Sequence, residues 1–289
     1  MRHLVARLRA LGLAPSLAPS LALALVVAFA AFGPVRAQEA DMVRLQTADD
    51  ARGWDAVGKL ILGDRGFCTG ALIGPQLVLT AAHCLYDKTT GVQLRPEDIE
   101  FQAGFRNGRA VAYRRVSRAV AHPGYRFGAA DKLDRVTDDL ALLELSQPIR
   151  LPSLFPFETG AAPVEGDAVD VVSYAQYREE APSIQEACEV LAGQRNALIL
   201  TCNVDFGSSG APVFTVRDGV VRVVSVISAK AEVDGRKVAL AVPVAEPLAA
   251  LRGALEQSKA GLARGVQSGG KPVSILSGGN GSGAKFVKP

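Results

Sequence analysis

The sequence predicts an all-β protein, a sandwich or barrel followed by one C-terminal helix. Two observations carry this. Short runs rich in Val, Leu and Ile follow one another from residue 56 to residue 244, separated by Gly, Pro, Asp and Asn. That is the spacing of short strands joined by turns. No long helical period appears until Pro247.

Taken in order, residues 38–53 are polar and read as a loose N-terminal arm. Strands are expected over 56–62, 69–73, 77–80, 99–103, 110–120 and 140–145. A Pro- and Phe-rich stretch, 151–160, divides them from a second set over 168–174, 197–202, 212–216, 220–228 and 238–244. Asp218-Gly219 lies between two β-branched runs, where it supplies the positive φ of a hairpin turn. Leu248, Leu251 and Leu255 then recur at i, i+3 and i+7 behind Pro247. They predict an amphipathic helix over 245–258. Residues 259–289 are assigned to a flexible tail, rich in Gly and Ser from residue 268. No internal repeat of fixed period is present.

The 289 residues are 48% hydrophobic and 21% charged, which excludes a disordered chain. The formal charge of +3 comes from the first 37 residues, which hold four arginines and no acid. The rest has 28 basic residues against 29 acidic, so no nucleic-acid partner is expected. Residues 1–37 read as a signal peptide. Arg2, Arg7 and Arg9 precede an apolar run over 20–32, and Val35-Arg36-Ala37 predicts cleavage after Ala37. The run is shorter than the roughly 20 residues of a membrane span, so the mature chain is expected without one, secreted or periplasmic. An uncleaved anchor helix is the competing reading.

Export gives the cysteines a meaning. Cys68, Cys84, Cys188 and Cys202 are even in number, which in an oxidising compartment implies disulfides. Three pairings are open, and locality favours Cys68–Cys84 and Cys188–Cys202. Each such bridge is worth about 3 kcal/mol by loop closure. A zinc site is disfavoured: no CxxC pair exists, and only His83 and His122 follow the leader.

Three stretches carry chemistry: Thr80-Ala81-Ala82-His83-Cys84, Asp138-Asp139-Leu140-Ala141-Leu142-Leu143 and Gly207-Ser208-Ser209-Gly210-Ala211-Pro212. A serine hydroxyl needs a neighbouring imidazole to take its proton. The imidazole needs a carboxylate to fix its tautomer. The oxyanion that develops needs preorganised N–H donors, which a glycine-flanked turn can aim at one point.

These blocks, in this order, resemble the signatures of the trypsin/chymotrypsin-like serine endopeptidases, most of all the compact bacterial secreted type, including its glutamyl-endopeptidase-like branch. The resemblance runs from about Trp54 to Leu255. It includes the Phe67-Cys68-Thr69-Gly70-Ala71-Leu72-Ile73 strand and Ala121-His122-Pro123-Gly124-Tyr125. It implies two packed antiparallel six-stranded β-barrels (about 54–150 and 160–245) within a protease domain over 54–258, with the site in the cleft between them. It also implies a disulfide from Cys68 to Cys84, beside the histidine. His83 would be the general base, Asp139 its orienting carboxylate and Ser209 the nucleophile, with the Gly207 and Ser209 N–H groups forming the oxyanion hole. His122 reads as structural, and Asp139 is preferred to Asp138 as the inward carboxylate.

The departures from the pattern matter. Ser208 stands where vertebrate-type members carry an aspartate that pairs with a freed amino terminus, so no activation switch of that kind is expected. Ala211 replaces a usual glycine. The substrate pocket is assigned to Asn203, Ser228 and Lys230. Asn203 lacks the charge of a trypsin-like floor, Lys230 is a candidate attractor of acidic side chains, and Asp205 is a candidate to supply the missing negative charge but reads rather as a solvated loop charge. No metal or cofactor is required. The partner is a protein or peptide substrate, and the chain is expected to be a monomer. The competing function is a catalytically silent homologue acting as a secreted binding module. A non-proteolytic esterase on the same triad is a third reading.

Overall fold

The computed structural model describes residues 42–131, 133–233 and 235–268. The expected leader over 1–37 and residues 269–289 of the expected tail lie outside the described residues. A short strand β1 (Val43–Arg44) precedes β2 (Val57–Leu62), β3 (Phe67–Gly74), β4 (Leu77–Thr80), β5 (Ile99–Ala103), β6 (Ala112–Ala121) and β7 (Ala141–Leu145). These six pair antiparallel around a closed ring in the order β2-β3-β4-β7-β6-β5. Strand β8 (Glu158–Thr159) follows, then β9 (Ala168–Ser173), β10 (Ser183–Gln194), β11 (Ala197–Leu200), β12 (Pro212–Arg217), β13 (Val220–Val233) and β14 (Arg236–Pro243). The last six form a second ring, β9-β10-β11-β14-β13-β12, closed by the pairing of β12 and β10 with β9. Numbered within its own half, each ring runs 1-2-3-6-5-4. Closure leaves neither barrel with the unpaired edges of an open sheet.

Strand periodicity explains the core. In the second barrel, Val171, Val213, Val224 and Ala241 face its interior, while their neighbours Val172, Phe214, Val223 and Val242 pack into the larger cluster shared with the first barrel. Both faces are therefore apolar, which is why these strands read as continuous Val-rich runs rather than alternating ones. Trp54 and Phe157 close on Phe214 at 5.0 and 4.7 Å between ring centroids. The Tyr174 hydroxyl donates across to the Phe105 carbonyl at 2.9 Å.

The helix α1 (Pro247–Ser268) buries Leu248, Leu251 and Leu255 as its spacing predicts. Each contributes about 2 kcal/mol of apolar burial. It lies against β6 and β7. It runs ten residues past the expected end at 258, so residue 259 is helical rather than the start of a tail. Lys259 extends the docking by a turn, with Nζ 3.3 Å from Glu144, which also pairs with Arg118 at 2.6 Å. No helix among the described residues is long and apolar enough to cross a membrane.

Two further expectations change. Residues 42–53 are docked rather than loose: β1 pairs with β10, and Leu45 and Ala51 are buried. Strand β10 was not foreseen. Its register shifts between Gln185 and Cys188, with Ala187 at φ +56°, and this bulge breaks the period-2 signal. The cysteines pair as Cys68–Cys84 and Cys188–Cys202, with Cα atoms 6.3 and 5.1 Å apart.

Candidate active site

Strand β4 ends at Thr80, and a 3-10 turn over Ala82–Leu85 presents His83 half-buried at the lip of the first barrel. Ala81 and Ala82 are fully buried, so this turn needs small side chains. The Cys84 bridge to Cys68 staples it to β3.

Asp139, 1% exposed, precedes β7. Its Oδ1 accepts the backbone N–H of His83 at 2.8 Å, and its Oδ2 lies 2.7 Å from His83 Nδ1. Ser228, on β13 of the other barrel, donates its hydroxyl to the same Oδ2 at 2.5 Å. Three donors from two barrels thus hold the carboxylate as an acceptor. This assigns the ring proton to Nδ1 and leaves Nε2 as the acceptor. Asp138 turns the other way, 3.1 Å from His122. The two carboxylates therefore divide as strand alternation expects.

Ser209 lies on the loop between β11 and β12, partly exposed. It lines a cavity of about 270 Å³ together with His83 and Ser228. Thr69 on β3 fixes this loop. Its N–H donates to the Ser209 carbonyl at 2.8 Å and its hydroxyl to the Gly207 carbonyl at 2.8 Å, while Tyr174 N–H donates to that hydroxyl at 3.1 Å. Ser208 and Gly210 N–H groups are consumed by Asp205 and Ile227 carbonyls at 2.9 and 2.7 Å. Gly207 and Ser209 N–H groups have no acceptor among the described residues. A loop whose carbonyls are tied back and whose alternate N–H groups are unpaired can offer those groups to an anion.

Both glycines are obligatory. Gly207 has φ +97°, and a Cβ there would sit 2.3 Å from the Phe67 ring. Gly210 has φ +80°, and a Cβ would sit 2.0 Å from Thr80 Oγ1. Ala211, by contrast, is fully buried without positive φ.

The expected pocket residues separate. Ser228 and Lys230 line the cavity with Ser209, whereas Asn203 lines a neighbouring one. Lys230 is not a free cation: its Nζ lies 2.8 Å from Asp205 Oδ1 and 4.2 Å above the Phe206 ring. The Lys230 hydrogen bond holds the Asp205 carboxyl below its ordinary value. Asp205 is therefore a solvated charge that is also paired. Cys68, His83 and Cys84 lie within ligand distance of one another, but both sulfurs are spent in the disulfide, which leaves no thiolate for a metal. Thr69 and Phe206 escaped the sequence reading. The signal for Thr69 was one hydroxyl inside an apolar strand.

Comparisons with known proteins agree with this architecture. Residues 68–223, more than half of the chain, match the trypsin-like peptidase domain family. Among curated proteins, the chain is similar to glutamyl endopeptidase of Bacillus licheniformis, 28% identical over 52% of this chain and 45% of that protein. It is also similar to mouse kallikrein 1-related peptidase b3, 37% identical over 28% of this chain and 31% of that one. A third is trypsin of Phaedon cochleariae, 35% identical over 29% and 30%. The match spans less than half the length of each. A solved structure of Glu endopeptidase in complex with MPD shares the fold, with TM-score 0.61, 16% identity, 76% of this chain and 98% of that one covered. The closed double barrel and the family match over residues 68–223 have one conclusion: the chain belongs to the trypsin-like peptidase domain family.

Proposed function

We propose that this protein is an exported serine endopeptidase working through Ser209, His83 and Asp139. The observation that carries the reading is the Asp139 carboxylate taking both N–H groups of His83, while His83 and Ser209 line one cavity. Nε2 of His83 takes the Ser209 proton as Oγ attacks the peptide carbonyl. The oxyanion settles on the Gly207 and Ser209 N–H groups, and His83 returns the proton to the leaving amine. Water then repeats the sequence on the acyl-enzyme. The two disulfides fit an oxidising compartment.

A biotinylated peptidyl phosphonate, which traps an activated serine, tests the proposal. Wild type should label at Ser209 and Ser209→Ala should not. Absence of labelling in a folded wild type would favour the silent binding module. Labelling with ester turnover but no peptide cleavage would favour an esterase.

The cavity also bears on preference. Val204, Ile227 and Ala229 give it apolar walls, and the Lys230–Asp205 pair cancels its own charge. Lys88 also lines the cavity, so an uncharged or acidic side chain is expected on the acyl side of the cut. Lys230→Ala frees Asp205 and should raise relative cleavage after Lys or Arg. Asp205→Ala should do the same after Asp or Glu. Both residues are about half exposed, so each shift should be about twofold to fivefold. Proteome-digest profiling of both variants reads this directly, and unchanged preferences in both would refute it.

A further inference from the structure

Ser208, beside the proposed nucleophile, is fully buried. Under it lies a cation. Arg178, on the segment joining β9 to β10, donates to the Ser173 carbonyl at 2.7 Å, to Ser173 Oγ at 2.9 Å and to Ser208 Oγ at 3.2 Å. It has no ion-pair partner among the described residues. Asp205 attracts it at longer range but is itself engaged by Lys230. Burial lowers the guanidinium to about 10, so it stays charged at neutral pH. Arg178 is only partly buried, yet a half-buried cation without a paired carboxylate is still a cost to the fold, and such groups concentrate where a site uses them.

The surrounding backbone ties the cation to the loop. Gln176 N–H donates to the Phe206 carbonyl at 2.7 Å, and Arg178 N–H closes a turn onto Ala175 at 2.9 Å. Thr69 grips the Gly207 and Ser209 carbonyls from the first barrel, and Arg178 grips the intervening Ser208 side chain from the second. Three successive residues are thereby held from opposite sides, with the Gly207 and Ser209 N–H groups left without an acceptor among the described residues. We propose that Arg178 is a positioning residue that fixes the oxyanion-binding loop through Ser208, its charge-assisted hydrogen bond holding a hydroxyl that carries no charge of its own. This rests on Ser209 being the nucleophile.

The test uses Arg178→Met and Arg178→Lys in the full chain. Peptide-amide kinetics are measured beside affinity for a peptidyl aldehyde, whose adduct on a serine places an oxyanion in the same hole. In Arg178→Met, kcat should fall by about 10- to 100-fold, less than the loss of a direct oxyanion donor. KM should stay within about twofold, and aldehyde affinity should fall in step with kcat/KM. Arg178→Lys should recover part of kcat, because an ammonium restores the charge but does not span both serines. Ser208→Asp should cost about tenfold more in the Arg178→Met background than in wild type, since only Arg178 neutralises the new carboxylate.

A folded Arg178→Met with wild-type kcat and aldehyde affinity overturns the proposal. So does a loss confined to KM, or one that tracks melting temperature and is no smaller in Arg178→Lys. If Arg178→Met does not fold, the Lys variant carries the test, and wild-type kcat and aldehyde affinity there overturn the proposal. Phosphonate labelling of wild type in parallel separates this failure from failure of the nucleophile assignment, which alone would abolish the label.

Discussion

Ser209→Ala should lower kcat for peptide hydrolysis by about a millionfold, His83→Ala by a similar factor, and the double variant by little more than either. The reason lies in the proton path. With Nδ1 committed to Asp139 at 2.7 Å, Nε2 is the one ring atom available to accept a proton. Without it, Ser209 Oγ is an ordinary alcohol. Without Ser209, the imidazole has nothing to activate. Each single loss therefore removes the whole nucleophilic route. What remains, about 10³-fold over water, belongs to binding and to the Gly207 and Ser209 N–H groups that both variants keep. A fluorogenic peptide assayed over days, with protein purified free of wild type, reads such rates. A double variant that loses the product of the two single factors would show that the residues act independently, and the triad assignment would fall.

The parts legible in the sequence were those whose chemistry constrains residue type locally. The turn at His83 needs Ala81 and Ala82 because no space remains beside them, and the Ser209 loop needs Gly207 and Gly210 because any Cβ collides. Such demands leave short, dense signatures. Strands β2 to β7 were legible because their apolar runs end at turn residues. The twofold strand order of the barrels was not, since ring order is a property of pairing and requires no repeated residues. Strand β10 was hidden by its bulge, and β1 by the fact that two residues become a strand only when β10 is present to pair with them. Thr69 and Arg178 act on residues 138 and 30 positions away. Arg178 also holds Ser173, five positions back, but nothing in the local sequence marks either contact. Lys230 shows the cost of reading a charge alone, for its meaning changes once Asp205, 25 positions back, is seen to cancel it.

Asp139→Asn is the sharpest test of how the imidazole is held. The side chain keeps its shape, so the fold should survive, yet roughly 10⁴-fold of kcat should be lost at neutral pH. The carboxylate now accepts from three donors: the His83 backbone N–H at Oδ1, and both the ring Nδ1–H and the Ser228 hydroxyl at Oδ2. An amide has one acceptor oxygen and one donor nitrogen to place on these two positions. If nitrogen takes the Oδ1 position, it faces the backbone N–H of His83, which cannot change its proton. If nitrogen takes the Oδ2 position, the backbone bond survives and the ring can adapt by moving its proton from Nδ1 to Nε2. The second arrangement avoids opposed donors, so it should dominate. It leaves Nε2 carrying a hydrogen where Ser209 needs a lone pair. Nitrogen-15 NMR of His83 should therefore report an Nε2–H tautomer in Asp139→Asn and Nδ1–H in wild type. Substrate affinity should stay close to normal, because nothing lining the cavity has moved. Retained kcat in the folded amide variant, or an unchanged tautomer accompanied by full loss, would show that Asp139 does not work by fixing the ring proton.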